Sequence, residues 1–420
     1  MKTKAYFTEI FAKNEKHDPV IDGIRAISVL SIIAFHVVVG IIQVFDNAKA
    51  QQFILNMPVF LQPLWHGEKG VDAFFLLSGL VIGIPLFRNL QLFNFRAALT
   101  FYKKKFYRIY PLFLVALGLY TVAQWEHFGK YFFSNLVFLN NIISGERTII
   151  PVGWFLTVEV QYFVLVPLLF LLLKSIKYCG TTLLILFLSS FVATAAILVE
   201  NPQLYTRPIT DLFLAADKGE FSTLMGRQFY ESDLARFGPF VAGLLLAYIR
   251  AVYSQKIVDF FKKKYLSIMA FIAAGILIAV PVLTPVYDPT SWFYSPFSER
   301  LNFVFLAGSR QAFALGVAIL VLGCSSGGGL FKAPSHFLSL RIWHPISRLS
   351  FPIYLFHFPF IAVAAVAVFG TTNINEITDV GFMQGLFVYV LASVLTFFFS
   401  IPLYIYVERP FVDRLNKSAS

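Results

Sequence analysis

Charge is scarce in this chain. Only 14% of its 420 residues are Asp, Glu, Lys or Arg, against roughly 25% in soluble domains, which excludes a water-solvated surface over most of its length. Cysteine is scarcer still. Cys179 and Cys324 are the two present, and no CxxC pair or His/Cys cluster suggests a structural metal, so no metal is expected. No repeat and no low-complexity linker divides the chain, which reads as a single unit, 1–420. The first twenty residues, with Lys2, Lys4, Lys13 and Lys16, lack the short apolar core of a cleavable signal peptide. The first apolar run is therefore expected to direct membrane insertion itself.

Hydrocarbon is what the chain has in abundance: 58% of the residues are hydrophobic and 49 are Phe. Ten runs of bilayer-crossing length follow one another, near 24–44, 71–88, 109–127, 154–173, 181–199, 234–250, 266–284, 303–324, 347–369 and 384–407. The expected fold is all-α, a polytopic integral membrane protein of about ten helices. Tyr131–Ile143 is apolar but short and reads as a candidate re-entrant segment. The mixture of Phe with Arg and Lys over Phe93–Lys105 reads as a separate interfacial helix.

Lys and Arg alternate from one inter-span segment to the next. Of the 34, 24 fall on the side holding both termini, nine on the other, and Arg310 lies inside a span. The positive-inside bias predicts cytoplasmic termini and a multi-pass protein of the inner (plasma) membrane. It also accounts for most of the net charge of +11, and no nucleic-acid motif accompanies it, so no nucleic-acid partner is expected. On this topology 1–23 is a cytoplasmic arm, 200–236 the longest external segment and 408–420 a cytoplasmic tail.

A few polar residues interrupt the apolar runs. Arg25 and His36 share the first span. Eleven residues return to within about 20° of the same helix face and advance roughly 16 Å, about half of a ~30 Å hydrocarbon core. Arg25 then lies at one membrane surface and His36 near the midplane, where ionisable groups are functional candidates by default. Alone, Arg25 also fits an ordinary anchor and His36 an interhelical hydrogen bond. In the second span Ser78-Gly79 suits close helix packing, and Asp72 falls near the outer surface, where it is expected to be solvated. Lys105 and Arg108, three apart, share a helical face beside the third span and suit phosphate. They equally suit anionic lipid.

Trp154 opens the fourth span as an interfacial anchor. Glu159 lies about 7 Å deeper and needs a partner, for which Arg236 and Arg310 are candidates. Ser350, Tyr354 and His357 form one polar stripe on the ninth span at i, i+4 and i+7. Glu408-Arg409-Pro410 reads as a helix stop with a local charge pair.

Taken together and in this order, these segments resemble the acyltransferase-3 family of integral membrane acyltransferases. The resemblance rests on Arg25 and His36 with ten residues between, Phe-Phe-x-x-Ser-Gly at Phe74–Gly79, the basic run into Arg108-Ile109-Tyr110-Pro111, and Trp154 with Glu159. It also rests on Ser-x-x-x-Tyr-Leu-x-His at Ser350–His357 and on Glu408-Arg409-Pro410. It implies transfer of an acyl group, often acetyl, from cytoplasmic acyl-CoA (acetyl-CoA) to a hydroxyl of an envelope carbohydrate, glycolipid or related molecule. It also implies an essential Arg25–His36 pair. Lys105 departs from the family's usual Arg-x-x-Arg, keeping the charge but losing the bidentate fork. Some members carry a hydrolase-like domain after the spans. This chain stops about a dozen residues past Glu408, so that domain is not expected here.

The expected roles follow. Lys105, Arg108 and Arg25 hold the donor's phosphates, and His36 is the general base or the acyl-accepting nucleophile. Glu159 and Arg25 are expected to join His36 as catalytic residues, Glu159 with Trp154 and Arg310 near the acceptor, Ser78 is a further candidate substrate contact, and Ser350, Tyr354 and His357 are candidate donors to the developing oxyanion. The rival readings are a proton-coupled transporter of a polar solute, against which the absence of a repeat counts, and a non-catalytic flippase partner.

Overall fold

The computed structural model describes residues 2–12, 18–44, 53, 56–143, 147–173, 176–207, 209, 224–286, 298–373, 376–377 and 381–417. Part of the predicted 200–236 external segment, part of the 1–23 arm and the last three residues lie outside these.

Among the described residues, ten helices are long and apolar enough to cross a membrane. They are Pro19–Val44, Lys69–Arg88, Phe95–Ala123, Gly153–Leu172, Ile176–Glu200, Asp233–Val252, Lys264–Leu283, Ser298–Ser326, Ser350–Phe369 and Phe382–Leu403. They are called the first to tenth spans below. The second is among the most enclosed and the seventh the least. Tyr265, Met269, Ile272, Ile276, Val280 and Leu283 of the seventh recur every three or four residues and all face outward. That continuous apolar stripe has no protein to cover it and suits lipid tails.

The second and sixth spans pack against each other more extensively than any other pair. Glycine makes this possible. A Cβ at Gly79 would overlap the carbonyl of Phe240, and one at Gly243 the carbonyl of Leu76. The two backbones approach too closely for any side chain there, as small residues permit in membranes. This contact fixes Ser78 and Asp72, on the second span, against the sixth.

The basic segment and the third span are not separate. Phe95–Ala123 is one helix of 29 residues, started by Asn94, whose side chain accepts from the Ala97 amide at 3.0 Å. At about 1.5 Å per residue it is roughly 43 Å long, well beyond a ~30 Å core. The interfacial helix expected from composition is the first turns of this span. Tyr131–Ile143 contains one short helix, Phe132–Leu136, followed by turns. Asn135 pins it by donating to the Arg147 carbonyl and accepting from the Ile149 amide.

Glu408-Arg409-Pro410 does not stop the chain's helical course. A π-turn at Tyr404–Glu408 passes into a further helix, Arg409–Lys417, in whose first turn proline costs no hydrogen bond. Nor is the charge pair local to those residues. Arg409 binds Glu9, 2.6 Å away, on the N-terminal helix Lys2–Phe11, and also Asp413. Glu9 in turn holds Arg348, and Tyr6 donates to Asp413. Cys179 and Cys324 are both buried and unpaired.

Gly243→Val forces the second and sixth spans apart, and overpacking of this kind costs about 1–3 kcal/mol or more. Gly275 meets nothing within 4 Å of a built Cβ, so Gly275→Ala should be neutral or stabilising by up to about 1 kcal/mol. Thermal unfolding of the two purified variants separates these outcomes. Equal behaviour would remove the close approach as the determinant.

Candidate active site

Among the described residues, one cavity lies toward the Arg25 end of the bundle and another on the side of His36. The first, of about 100 Å³, is lined by Arg25, Lys105, Arg108, Ser78, Glu159, Ser350 and Tyr354, with Phe74, Leu77 and Val81 among its apolar walls. The helical spacing of Lys105 and Arg108 does put both on one face. Arg108 is exposed and Lys105 half-buried, with its Nζ 4.0 Å from the centre of the Phe163 ring. Glu159 does not pair with Arg236 or Arg310. It accepts a short hydrogen bond from Ser78, which gives Ser78 a polar role beyond packing.

Arg25 reaches the same cavity because its nearest carboxylate is otherwise engaged. Asp22 lies 4.0 Å from the Arg25 guanidinium. Its oxygens are taken more closely by Ser347 at 2.9 Å and His344 at 3.2 Å. Sequence reading passed over this buttress. Asp22 stands one helical turn before Arg25, but His344 and Ser347 are more than 300 residues away in the chain.

The second cavity is larger, about 270 Å³, and His36, Trp154 and Arg310 line it. It also takes in His66, Glu68, Lys69 and Tyr230, none of which stood out in the sequence. The one available signal was the adjacent Glu68 and Lys69 just before the second span. Asp72 is not solvated. It is fully buried and binds the equally buried Arg236 at 2.7 Å, with Lys69 at 3.9 Å. Lys69 lies 3.4 Å from Glu68, and Glu68 lies 3.7 Å from His66. Burial alone would raise the carboxyl pKa of Glu68, but Lys69 and His66 bring it down to about 2. Glu68 is therefore ionised at neutral pH.

A partition of fourth- and ninth-span residues separates the two cavities. Consecutive residues at the start of the fourth span face opposite ways, Trp154 to the larger cavity and Phe155 to the smaller. Tyr354 packs 5.2 Å from the Phe155 ring centre and 6.3 Å from that of Phe74. Its hydroxyl donates to the Val152 carbonyl at 2.7 Å, tying the ninth span to the start of the fourth. His357 lies fully buried in this layer and lines neither cavity. The stripe Ser350, Tyr354, His357 thus runs from the small cavity into the partition. Arg25 and His36, aligned on one helix, look into different cavities.

His36 and His357 are in hydrogen-bonding contact, with His36 Nδ1 2.9 Å from His357 Nε2 and the rings stacked 5.0 Å apart. His357 Nδ1 lies 2.8 Å from the Tyr354 carbonyl oxygen. A carbonyl only accepts, so His357 Nδ1 carries the proton. The neutral ring then accepts at Nε2, and His36 donates from Nδ1. The network assigns this tautomer, which leaves the lone pair of His36 on Nε2. Such a nitrogen can take a proton from a hydroxyl or attack a carbonyl carbon. Among the described residues, no group of three or more His, Cys, Asp and Glu is placed to hold a metal ion.

Residues 18–405 match the family described as "Acyltransferase domain". The chain belongs to the acyltransferase-3 family. Among curated relatives it is 22% identical over 376 residues to "Nose resistant to fluoxetine protein 6" of Caenorhabditis elegans, covering 82% of this chain and 45% of that protein. It is 24% identical over 360 residues to "O-acetyltransferase OatA" of Staphylococcus aureus, covering 82% of this chain and 50% of that protein. The chain therefore spans about half the length of the curated relatives it matches. No solved structure matches it. The family match takes in both cavities and the partition and ends just before Glu408.

The Asp72–Arg236 pair is a stability element that can be tested by itself. Asp72→Asn leaves Arg236 buried without its charge partner and should cost about 3–5 kcal/mol. The exposed Lys262–Asp259 pair should yield no more than about 1 kcal/mol on Asp259→Asn. Denaturation midpoints of the purified variants check the contrast, and similar losses would argue against it.

Proposed function

We propose that this protein is a membrane O-acyltransferase, most simply an O-acetyltransferase. In this reading it moves an acyl group from cytoplasmic acyl-CoA to a hydroxyl of a cell-envelope carbohydrate or glycolipid. Family membership and the O-acetyltransferase relative support the reaction class. The observation that carries the reading is the histidine pair at the partition between a cationic cavity and a larger cavity rich in aromatic and charged groups.

The Arg25 end is taken as cytoplasmic, following the positive-inside bias. Arg25, Lys105 and Arg108 suit the donor's phosphates, and Phe74, Leu77 and Val81 suit the uncharged arm that carries the thioester. Glu159, held by Ser78, sits in the same cavity as those cations and balances part of their charge. The acceptor occupies the larger cavity, beside Trp154, Tyr230 and Arg310. His36 Nε2 takes the acceptor's proton as its oxygen bonds to the acyl carbon. The C–S bond breaks, and the imidazolium returns the proton to the departing thiolate. In the alternative order, His36 takes the acyl group first and releases it to the hydroxyl. Both routes need the tautomer that His357 enforces, which makes His357 a positioning residue. Both also need the thioester to pass Tyr354 and Phe155, so the partition has to open during turnover.

Acyl-CoA consumption and product formation by the purified protein in nanodiscs test this. His36→Ala should reduce turnover on the order of 10²–10⁴-fold, the usual contribution of a general base. His357→Ala should lower kcat by a smaller factor and shift its pH profile, leaving KM for acyl-CoA nearly unchanged. Turnover by His36→Ala equal to wild type would sink the proposal. Replacing Lys105 and Arg108 together by Ala should act in the opposite sense. Removing two charge-assisted contacts of about 1.5–3 kcal/mol raises KM for acyl-CoA at least about tenfold, with kcat much less affected. An unchanged KM would exclude them as the phosphate site.

A further inference from the structure

Several charged side chains around the larger cavity are held in ion pairs. Asp72 neutralises Arg236, and Lys69 lies between Glu68 and Asp72. Arg310 is 96% buried, being 4% exposed, and among the described residues no carboxylate lies within ion-pairing distance of it. One of its terminal nitrogens donates to the carbonyls of Ala235 at 3.2 Å and Phe229 at 3.5 Å. Its guanidinium carbon stands 4.3 Å from the centre of the Phe229 ring. These contacts hold the group in place but give it no direct ion pair, and Asp72 and Glu68 act on it only from further away. Among the described residues its remaining nitrogens make no hydrogen bond, yet they are not sealed from the cavity as the unpartnered terminal nitrogen of Arg236 is. Arg310 lines the cavity, so those nitrogens face its interior. A buried cation with no contacting counter-charge is costly, and an anion entering the cavity lowers that cost.

The geometry points to an acceptor that is an anionic carbohydrate, bound through a carboxylate or phosphate oxygen at Arg310. This rests on the transferase reading above and specifies the substrate class for its acceptor side. The planar guanidinium suits either oxyanion, donating two parallel hydrogen bonds. Trp154 and Tyr230, with ring centres 5.2 Å apart, line the same space and suit the apolar face of a sugar ring. Glu231 also lines this cavity, so the expected ligand offers hydroxyls as well as one anionic group. Arg310 is then a specificity residue, separate from the proton transfer at His36.

The test is a binding measurement that needs neither donor nor turnover. The full chain in nanodiscs is titrated with methyl β-D-glucuronide, the methyl ester of that glucuronide, glucose 1-phosphate and methyl β-D-glucoside. Binding is followed by the methyl resonance of Met225, which lines the cavity and is assigned with Met225→Leu. The glucuronide and the phosphate should both move this resonance. They should bind at least about tenfold more tightly than the neutral ester and glucoside, the equivalent of one charge-assisted contact. Arg310→Gln should abolish that preference.

Equal binding of charged and neutral probes, or an unmoved Met225 resonance, overturns the inference in wild-type protein even if Arg310→Gln does not fold. Retention of the preference in a folded Arg310→Gln overturns it as well. Binding to the glucuronide but not the phosphate would restrict the anion to a carboxylate, and the reverse to a phosphate. A protein that discriminates the anions but consumes no acyl-CoA refutes the transferase reading alone. One that turns over donor without discriminating refutes this inference alone.

Discussion

The hydrocarbon core offers no water, so a ring nitrogen halfway along a span must find its partner inside the protein. His36 finds His357, and His357 finds the carbonyl of Tyr354. Much of the site's arrangement follows from this chain of contacts. It locks the first span to the ninth at mid-depth, and the Tyr354 hydroxyl extends the lock to the fourth span through Val152. Three helices that are far apart in sequence meet in one layer, and that layer separates the cavities. Replacing either ring by a hydrocarbon of similar size would fill the space but leave the other ring's polar atom unpaired, at about 1–3 kcal/mol. Packing and protonation state are therefore set by the same contacts.

A closed partition also has a chemical consequence for the proposed reaction. A thioester held in the smaller cavity is kept from the water and the hydroxyls of the larger one while Tyr354 and Phe155 stay in place. Excluding water from a reactive intermediate suppresses hydrolysis, and opening on arrival of the acceptor couples donor use to transfer. The two sides are electrically different as well. The smaller cavity concentrates Arg25, Lys105 and Arg108 against one carboxylate. The larger has Glu68, Lys69, Asp72 and Arg236 in ion pairs at its side and, among the described residues, Arg310 without one.

Features repeated along the chain were readable in it. Apart from the third, which starts at Phe95 and not near 109, the spans appear within about five residues of their hydrophobic runs, because bilayer thickness sets their length. The pairing of Lys105 with Arg108 and the stripe of Ser350, Tyr354 and His357 follow from helical periodicity and survive in three dimensions. What failed were statements about which helix meets which. Arg25 and His36 do lie on one face, but residues of the fourth and ninth spans come between them, and no periodicity reveals that. Glu408-Arg409-Pro410 looked like a stop because its true partner, Glu9, lies about 400 residues away. The basic segment merged with the third span because Asn94 caps it and nothing after the cap ends the helix.

Arg236 and Arg310 show how far local reading reaches. In the sequence they are interchangeable, each an arginine in or beside an apolar run and each a candidate partner for Glu159. In the structure neither meets Glu159, and they differ from each other by the presence of a carboxylate. The second span brings Asp72 to the level of Arg236 because Gly79 and Gly243 let those two helices touch. Among the described residues no comparable approach brings a carboxylate within ion-pairing distance of Arg310, which meets backbone carbonyls and an aromatic ring. The first arginine is thereby a structural charge, fully enclosed and paired with Asp72. The second keeps its charge for whatever enters the cavity. Whether a buried cation serves the fold or a ligand is decided by the helix opposite it.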